Sequence, residues 1–251
     1  MENIIFGKNS VAEALTAGDR EINKILISKN IHCDNKLNKI KELAKQNGIV
    51  FQFVAKEKFA PYAEFNHQGV IAMVSPIKYT DFDDFLEQKH ENSSVVILDG
   101  VEDPHNLGAI IRTCVCAGVA GIIIPSRRNV LVNSIVEKTS AGAINHIPVI
   151  KVNSLTNVVN KLKENNWWII ATDASAKDNY YDVNYNDMNF AIIMGAEHAG
   201  VSKSLLKASD FIVKIPMENN FNSLNVSNAL SAIIFETVRQ RLKNSIKVKQ
   251  S

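Results

Sequence analysis

The chain has 251 residues, of which 46% are hydrophobic and 22% are charged, and its formal net charge is +2. These values exclude a disordered or collagen-like chain, and an odd number of cysteines (Cys33, Cys114 and Cys116) without metal-ligand spacing fits neither a disulfide scaffold nor a metal site. The apolar runs are far shorter than the roughly 20 residues of a membrane span, and the first residues lack the order of a signal peptide. We therefore expect a cytoplasmic protein with no membrane partner and no metal.

The first 76 residues carry the alternating pattern of a small α/β domain. Two segments have apolar residues at helical spacing and end at a glycine, and three others are rich in Ile, Val and Phe. The predicted helices are 10–17 and 36–47, and the predicted strands are 22–28, 49–54 and 69–74. Residues 1–80 contain 11 basic and 8 acidic residues, so this block is mildly positive.

An acidic segment, residues 77–92, separates this block from the rest of the chain. Positions 81–92 hold five acidic residues and one basic residue. We interpret the segment as a linker that forms a solvated connecting helix. A charge of this sign can also repel a polyanion and leave its binding to the flanking domains.

Residues 93–251 predict a larger α/β domain. Short strands rich in Ile and Val alternate with helices, which is typical of a mainly parallel sheet covered on both faces. The predicted strands are 95–98, 121–124, 147–152, 167–172, 190–194 and 211–215. The predicted helices are 107–117, 133–141, 155–165, 203–208 and 226–242. The sequence contains neither the glycine-rich fingerprint of dinucleotide-binding folds nor a phosphate-binding P-loop.

Three polar segments follow predicted strands of this domain, where parallel α/β sheets bind ligands. The first places Asn106 and Arg112 at the start of a helix. The second places Glu197 between two glycines, and the third places Ser223 and Asn225 before the last helix. Helix capping by Asn106 or Asn225, a tight turn at Glu197 and a solvated Arg112 are the structural alternatives. Each segment alone is a weak signal, but together they indicate a site.

The sequences of the three segments resemble those of a known family. They read Asp103-Pro-His-Asn-Leu-Gly-x3-Arg, Met194-Gly-x-Glu and Ile215-Pro-Met-x5-Ser-Leu-Asn-Val-Ser. In this order they resemble the motifs of the SpoU/TrmH family of RNA ribose 2′-O-methyltransferases. The N-terminal segments 6–15 and 67–72 resemble that family's substrate-binding domain. Within the family, the chain is most similar to the bacterial enzymes that methylate guanosine in 23S rRNA.

The resemblance implies an α/β catalytic domain with a trefoil knot of the SPOUT type and S-adenosyl-L-methionine as methyl donor. It implies cofactor contacts at Thr172, Gly195, Ile215 and Leu224. It implies catalytic roles for Asn106, Arg112, Glu197, Ser223 and Asn225. One departure is that His198-Ala199-Gly200 stands where the family usually has Gly-x-Gly, and a side chain there can narrow the cofactor loop.

Methyl transfer to a 2′-hydroxyl requires orientation, a proton acceptor and local positive charge. Because a guanidinium is protonated at any pH at which an enzyme works, we interpret Arg112 as an electrostatic clamp rather than a general base. We expect Asn106 and Glu197 to fix Arg112, while Ser223 and Asn225 position phosphate and ribose. Arg127 and Arg128, in a predicted loop near the site, are candidate RNA contacts.

The partners follow from the same resemblance: 23S rRNA or a pre-ribosomal particle, and a second copy of the chain. An apolar face on the last helix, from Val226 to Val238, supports the homodimer. Two alternatives stay open. A tRNA 2′-O-methyltransferase of the family usually lacks this N-terminal domain, and a non-catalytic RNA-binding module would not need the five intact site residues.

Overall fold

The computed structural model describes residues 4–18, 21–63, 65–75, 77–218 and 223–248, with side chains as far as residue 243. Its contacts divide the chain into two compact units. The first consists of Met1–Lys78 and Val132–His146, and the second of Tyr79–Leu131 and Ile147–Ser251. The division is therefore not linear, because a segment from the predicted second domain belongs to the first unit.

Eleven strands and eight α-helices form within the described residues. The strands are β1 (Ile4–Phe6), β2 (Ile22–Ser28), β3 (Phe51–Val54), β4 (Val70–Val74), β5 (Ser94–Asp99), β6 (Gly121–Pro125), β7 (Val149–Val152), β8 (Trp167–Thr172), β9 (Asp178–Asn179), β10 (Asn189–Gly195) and β11 (Phe211–Lys214). The helices are α1 (Lys8–Ala17), α2 (Asn35–Gln46), α3 (Phe82–Leu86), α4 (Pro104–Cys116), α5 (Ser134–Thr139), α6 (Leu155–Glu164), α7 (Lys203–Ala208) and α8 (Val226–Val248). Short 3₁₀ helices cover Lys56–Tyr62 and Ala143–His146.

The first unit contains a four-stranded sheet in the order β1-β4-β2-β3. Strand β4 is antiparallel to both β1 and β2, whereas β2 and β3 are parallel. The apolar stripes of α1 and α2 pack with one face of the sheet, as their spacing predicts. Strand β1 was not predicted, because three residues carry no periodic signal and only pairing with β4 makes them a strand.

The inserted segment Val132–His146 packs on α1 and β1 of the first unit. The His146 imidazole lies 3.2 Å from the Glu13 carboxylate, and the Lys138 ammonium lies 5.0 Å from the centre of the Phe6 ring. Gly142 has no space for a side chain, because a Cβ there would overlap Glu13. These contacts explain why a segment distant in sequence belongs to the N-terminal unit.

The second unit is built on a seven-stranded sheet in the order β7-β6-β5-β10-β8-β11-β9. Every pair of neighbouring strands is parallel, in agreement with the predicted parallel sheet. Strand β10 lies between β5 and β8, so the chain must cross over before it returns to the centre of the sheet. The carboxyl ends of β5, β10, β8 and β11 therefore lie next to one another.

Helices cover both faces of this sheet. On one face, α3, α6 and α7 share a buried cluster with alternate strand residues such as Val95 and Ile97. In the segment predicted to be an acidic linker, Phe82 and Phe85 of α3 are thus part of the second unit's core, while the acidic side chains of α3 stay exposed.

The other face is covered by α4 and α8, which pack against each other and against β6 and β10. This packing buries most of the apolar face of α8, because Val226, Leu230, Ile233 and Ile234 are all buried. The face is therefore not available as the dimer surface that we expected from the sequence. In the part of the chain that the structure describes, no helix has the length and apolarity needed to span a bilayer.

Candidate active site

A hydrogen-bonded network joins the three polar segments at the carboxyl edge of the seven-stranded sheet. The Asn106 Nδ2 donates to Glu197 Oε1 at 2.8 Å. The Asn225 Nδ2 donates to Asn106 Oδ1 at 2.8 Å and to Glu197 Oε1 at 3.3 Å. Residues separated by 119 positions thus meet, as expected when parallel strands end at one edge.

Each member of the network is held by its own element. Asn106 lies in the first turn of α4, whose N-cap is Asp103, and is only 7% exposed. Asn225 precedes α8, and its Oδ1 accepts from the Ser227 backbone N–H at 3.0 Å and the Ser227 hydroxyl at 2.6 Å. The capping alternative is thus correct for Asn225, but its amide nitrogen also binds Asn106 and Glu197.

A cavity of about 500 Å³ lies beside this network. All four predicted cofactor residues line it: Thr172, Gly195, Ile215 and Leu224. Glu197 and Ser223 are also in its wall. Leu224 is 45% exposed despite its size, so an apolar surface is available to a ligand in this cavity.

The wall of this cavity requires glycine at position 195. A Cβ on Gly195 would overlap the backbone of Gly200 and Val201. The turn between them is closed by two backbone hydrogen bonds between Ala196 and Gly200, at 3.2 and 2.9 Å. Gly200 has a φ of 65°, a left-handed conformation that favours glycine, so the turn depends on glycine at position 200 as well.

The departure at His198-Ala199 lies at the tip of this turn. Both side chains are exposed and line the cavity, so they narrow its opening to solvent rather than its interior. Within the described residues, neither side chain makes a hydrogen bond to the Asn106–Glu197–Asn225 network.

Two polar residues of the cavity were missed in the sequence. Asp173 follows directly after Thr172 at the end of β8, and Lys214 ends β11. One carboxylate oxygen of Asp173 accepts from the backbone N–H and the hydroxyl of Ser175, at 2.7 and 2.6 Å. The position of both residues at strand ends was the signal that identified the other segments. The Thr172 hydroxyl itself donates to the Ile193 carbonyl at 3.0 Å.

A second cavity, of about 380 Å³, shares a wall with the first. It is lined by Gly100–Asp103, Asn106, Val226 and the turn 196–199. The turn and Val226 also line the first cavity. Glu197 therefore borders both cavities, and Asn106 reaches it from the second one.

Arg112 does not join the network. Its side chain is exposed, and within the described residues it makes no hydrogen bond or ion pair. Six residues of α-helix rotate a side chain by about 240°, so Asn106 and Arg112 project in different directions from α4. The expectation that Asn106 and Glu197 fix Arg112 is thus not met; they bind each other and Asn225 instead.

Arg127 and Arg128 lie in the loop after β6, and both are exposed. This loop is fastened to the turn after β5, because Val101 N–H donates to Asn129 Oδ1 at 2.8 Å and Val130 N–H donates to the Val101 carbonyl at 2.9 Å. The two arginines therefore lie in a loop that is hydrogen-bonded to Val101 in the wall of the second cavity.

Comparison with protein families gives two matches, which together span most of the chain. Residues 93–235 match the model of the SpoU rRNA Methylase family. Residues 4–80 match the model described as RNA 2′-O ribose methyltransferase substrate binding. A TrmH family tRNA/rRNA methyltransferase, by name, from Staphylococcus aureus strain MSSA476 is 43% identical over 243 residues, covering 96% of this chain and 97% of its own.

Solved structures agree with these matches. The SpoU methyltransferase AviRb from Streptomyces viridochromogenes, solved with AdoMet, has a TM-score of 0.83 at 22% identity and covers 96% of this chain and 91% of its own. The TrmH/SpoU tRNA modifying enzyme of A. aeolicus has a TM-score of 0.56 at 27% identity, covering 65% of this chain and 82% of its own. The predicted α/β fold, with an N-terminal substrate-binding domain and a SpoU-type catalytic domain, is confirmed.

Proposed function

Because this chain belongs to the SpoU/TrmH family of RNA methyltransferases, we propose that it transfers the methyl group of S-adenosyl-L-methionine to the ribose 2′-hydroxyl of a guanosine in 23S rRNA. The observation that carries the proposal is the Asn106–Glu197–Asn225 network, whose central residue, Glu197, lies on the wall that two adjacent cavities share. The first cavity suits the methyl donor and the second suits the acceptor ribose, so methyl transfer takes place beside Glu197, where the two cavities adjoin.

The first cavity has the properties that S-adenosylmethionine requires. Gly195 lets the 196–200 turn pack directly against the end of β10, which shapes the cavity wall, and Ile215 and Leu224 offer apolar contacts for an adenine ring. Asp173 retains a second carboxylate oxygen that can accept from ribose hydroxyls. The bound donor supplies an electrophilic methyl group on a sulfonium centre.

The chain's own residues orient the acceptor and stabilise charge. Asn106 and Asn225 hold the Glu197 carboxylate in one place, and Ser223 and Asn225 position the ribose and its phosphate. Arg112 supplies positive charge to the oxygen that develops negative charge as its proton leaves through phosphate or water. The hydrogen bonds among Asn106, Glu197 and Asn225 hold Glu197 in place without reorganisation during the reaction, which favours a role in orienting the acceptor.

Ribosomal RNA is favoured over tRNA by the N-terminal domain. The A. aeolicus tRNA modifying enzyme leaves about a third of this chain unmatched, whereas the match to the substrate-binding model spans residues 4–80. We propose that residues 1–76 bind the rRNA or a pre-ribosomal particle, and that Arg127 and Arg128 add backbone contacts near the acceptor cavity. The intact network speaks against a non-catalytic binding module.

Mapping of ribose methylation tests this function. We expect one 2′-O-methylguanosine of 23S rRNA to disappear from cells that lack the gene and to return with the wild-type gene. The variant Asn106→Ala is the matched control and should not restore it. Loss of a tRNA methyl group with an unchanged rRNA pattern would support the tRNA alternative, and unchanged patterns in both RNAs would support a binding module.

A further inference from the structure

The first unit contains a cavity of about 680 Å³ to which the catalytic proposal assigns no role. Its lining is strongly basic and polar. It includes three lysines, two histidines and one carboxylate: Lys8, Lys36, Lys56, His32, His67 and Asp34. All of them lie in the unit that matches the substrate-binding model.

The cavity is held open by constrained backbone where α1 and β4 begin. Gly7 precedes α1 with a φ of 93°, and its N–H donates to the Val70 carbonyl at 3.0 Å. The Lys8 N–H donates to Gln68 Oε1 at 3.1 Å. Gly69 has a φ of 75°, and a Cβ there would lie 3.1 Å from Ile31. Any residue other than glycine is therefore disfavoured at positions 7 and 69, and the backbone around the cavity is constrained to this conformation.

Asp34, the one carboxylate among the described lining residues, is already paired. Asp34 caps α2 by accepting from the Leu37 N–H at 2.8 Å, and it accepts from Lys8 Nζ at 2.6 Å. The hydrogen bond from Lys8 lowers the pKa of Asp34, so this side chain stays ionised and paired. The lysines and Asp34 of the described lining together carry three positive charges and one negative charge.

The remaining cationic groups face the cavity with spare capacity. Lys36 Nζ donates one hydrogen bond, to Asn9 Oδ1 at 2.9 Å. Lys56 is exposed, and its ammonium has no hydrogen-bond or ion-pair partner in the described ranges. His67 Nδ1 accepts from the Gly69 N–H at 2.9 Å, and burial lowers the pKa of this imidazole, so its Nε2 is the protonated nitrogen near neutral pH.

We propose that this cavity binds a phosphodiester of the RNA substrate through Lys36 and Lys56, an assignment that rests on the proposed function. Phe59, the one phenyl ring among the described lining residues, is only 3% exposed and packs against His67 with ring centres 4.7 Å apart. A base therefore cannot stack on this ring, and the exposed lysines favour contact with phosphate. The cavity reads the backbone rather than the sequence, and it contributes affinity that depends on salt.

Binding of a fluorescent 23S rRNA fragment by the full chain tests the proposal. We expect the double variant Lys36→Ala/Lys56→Ala to bind roughly 10-fold or more weakly, because two charge-assisted contacts are lost. The slope of log K against log salt should fall by about 1.4 if both contacts are to single-stranded phosphates. The matched control, Lys39→Ala/Lys45→Ala, removes the same charge from exposed positions of α2 outside the cavity and should change binding little.

A second variant guards against a folding defect. Lys56→Glu alone disturbs no hydrogen bond of the described structure, so it should weaken RNA binding while the melting temperature and S-adenosylmethionine binding stay unchanged.

Equal losses of RNA affinity in the cavity and control double variants would overturn the proposal, as would binding of inorganic phosphate in the cavity with no competition by RNA. If the wild type binds RNA through these lysines but methylates nothing, the proposed function fails and this inference stands. If methylation occurs and both double variants have the wild-type KM, the inference fails alone.

Discussion

The Asn225 side chain donates to the Asn106 side chain over 2.8 Å and thereby joins the start of the last helix to the first turn of α4. Both amides also donate to the same oxygen of Glu197. An amide at position 106 can accept from Asn225 and donate to Glu197 at once, whereas an ionised carboxylate of the same size can only accept. This requirement makes position 106 a sensitive test of the network.

We expect Asn106→Asp to reduce methyl transfer by roughly 10²-fold at pH 8.5, because it places a second carboxylate oxygen at 2.8 Å from Glu197. Two carboxylates at that distance are stable only when one is protonated, so activity relative to wild type should recover as the pH falls to 6. Asn106→Ala adds no charge, and its defect should not depend on pH. Single-turnover rates at both pH values make the comparison. Equal behaviour of the two variants would contradict the role assigned to this hydrogen bond.

Gly195→Ala should abolish cofactor binding, because its Cβ would meet backbone atoms of Gly200 and Val201, which cannot move aside as a flexible side chain can. We also expect a loss of roughly 1–3 kcal/mol in the free energy of unfolding. Gly200→Ala is the matched control: its Cβ has nothing within 4 Å, and only the left-handed φ costs roughly 1–2 kcal/mol. Calorimetric titration with S-adenosylmethionine distinguishes them. Tight binding by Gly195→Ala would show that the turn adjusts.

Arg112→Lys should lower single-turnover methyl transfer by roughly 10²-fold while cofactor affinity stays the same. Lysine keeps the charge but loses the planar fork that holds two oxygens in one geometry. The side chain is exposed and unpaired within the described residues, so thermal stability should not change. Turnover near that of the wild type would mean that Arg112 is a solvated helix residue without a catalytic role. A parallel loss of cofactor binding would mean that its role is structural.

Phe85→Ala should reduce the free energy of unfolding by roughly 3–5 kcal/mol, since this ring is 1% exposed in the core of the second unit. The control Asp84→Ala changes an exposed neighbour on the same helix and should cost under 1 kcal/mol. Urea unfolding followed by tryptophan fluorescence measures both. A small effect of Phe85→Ala would mean that residues 77–92 act as a simple linker after all.

The homodimer that we propose needs an apolar surface other than the buried face of α8. Phe235 and Leu242, on the same helix, are 47% and 62% exposed. We expect sedimentation to give twice the monomer mass of 27.8 kDa, and Phe235→Glu to shift it towards the monomer. Trp168→Glu changes another exposed aromatic residue and should leave the dimer intact. A monomeric wild type at micromolar concentration would exclude the dimer.

The sequence by itself determined the parts of the molecule that depend on local patterns. Strand β2 and helix α7 have the predicted bounds, because strand composition and helical periodicity are properties of neighbouring residues. The three polar segments were recognisable because each directly follows a strand, and in a parallel sheet such positions share an edge. The same edge brings Thr172, Gly195 and Ile215, which the family resemblance named, to one cavity, and Leu224, named with them, lines it from the segment before α8.

Only the tertiary structure decided which of these side chains touch. From the sequence we expected Asn106 and Glu197 to fix Arg112, but helix rotation turns Asn106 and Arg112 apart, and Asn106 binds Glu197 and Asn225, the latter 119 residues away. Likewise, the packing of Val132–His146 with the first unit and the burial of Phe85 under an acidic surface depend on contacts between distant segments. Such contacts leave no local periodicity in the sequence, because they are set by how whole elements pack.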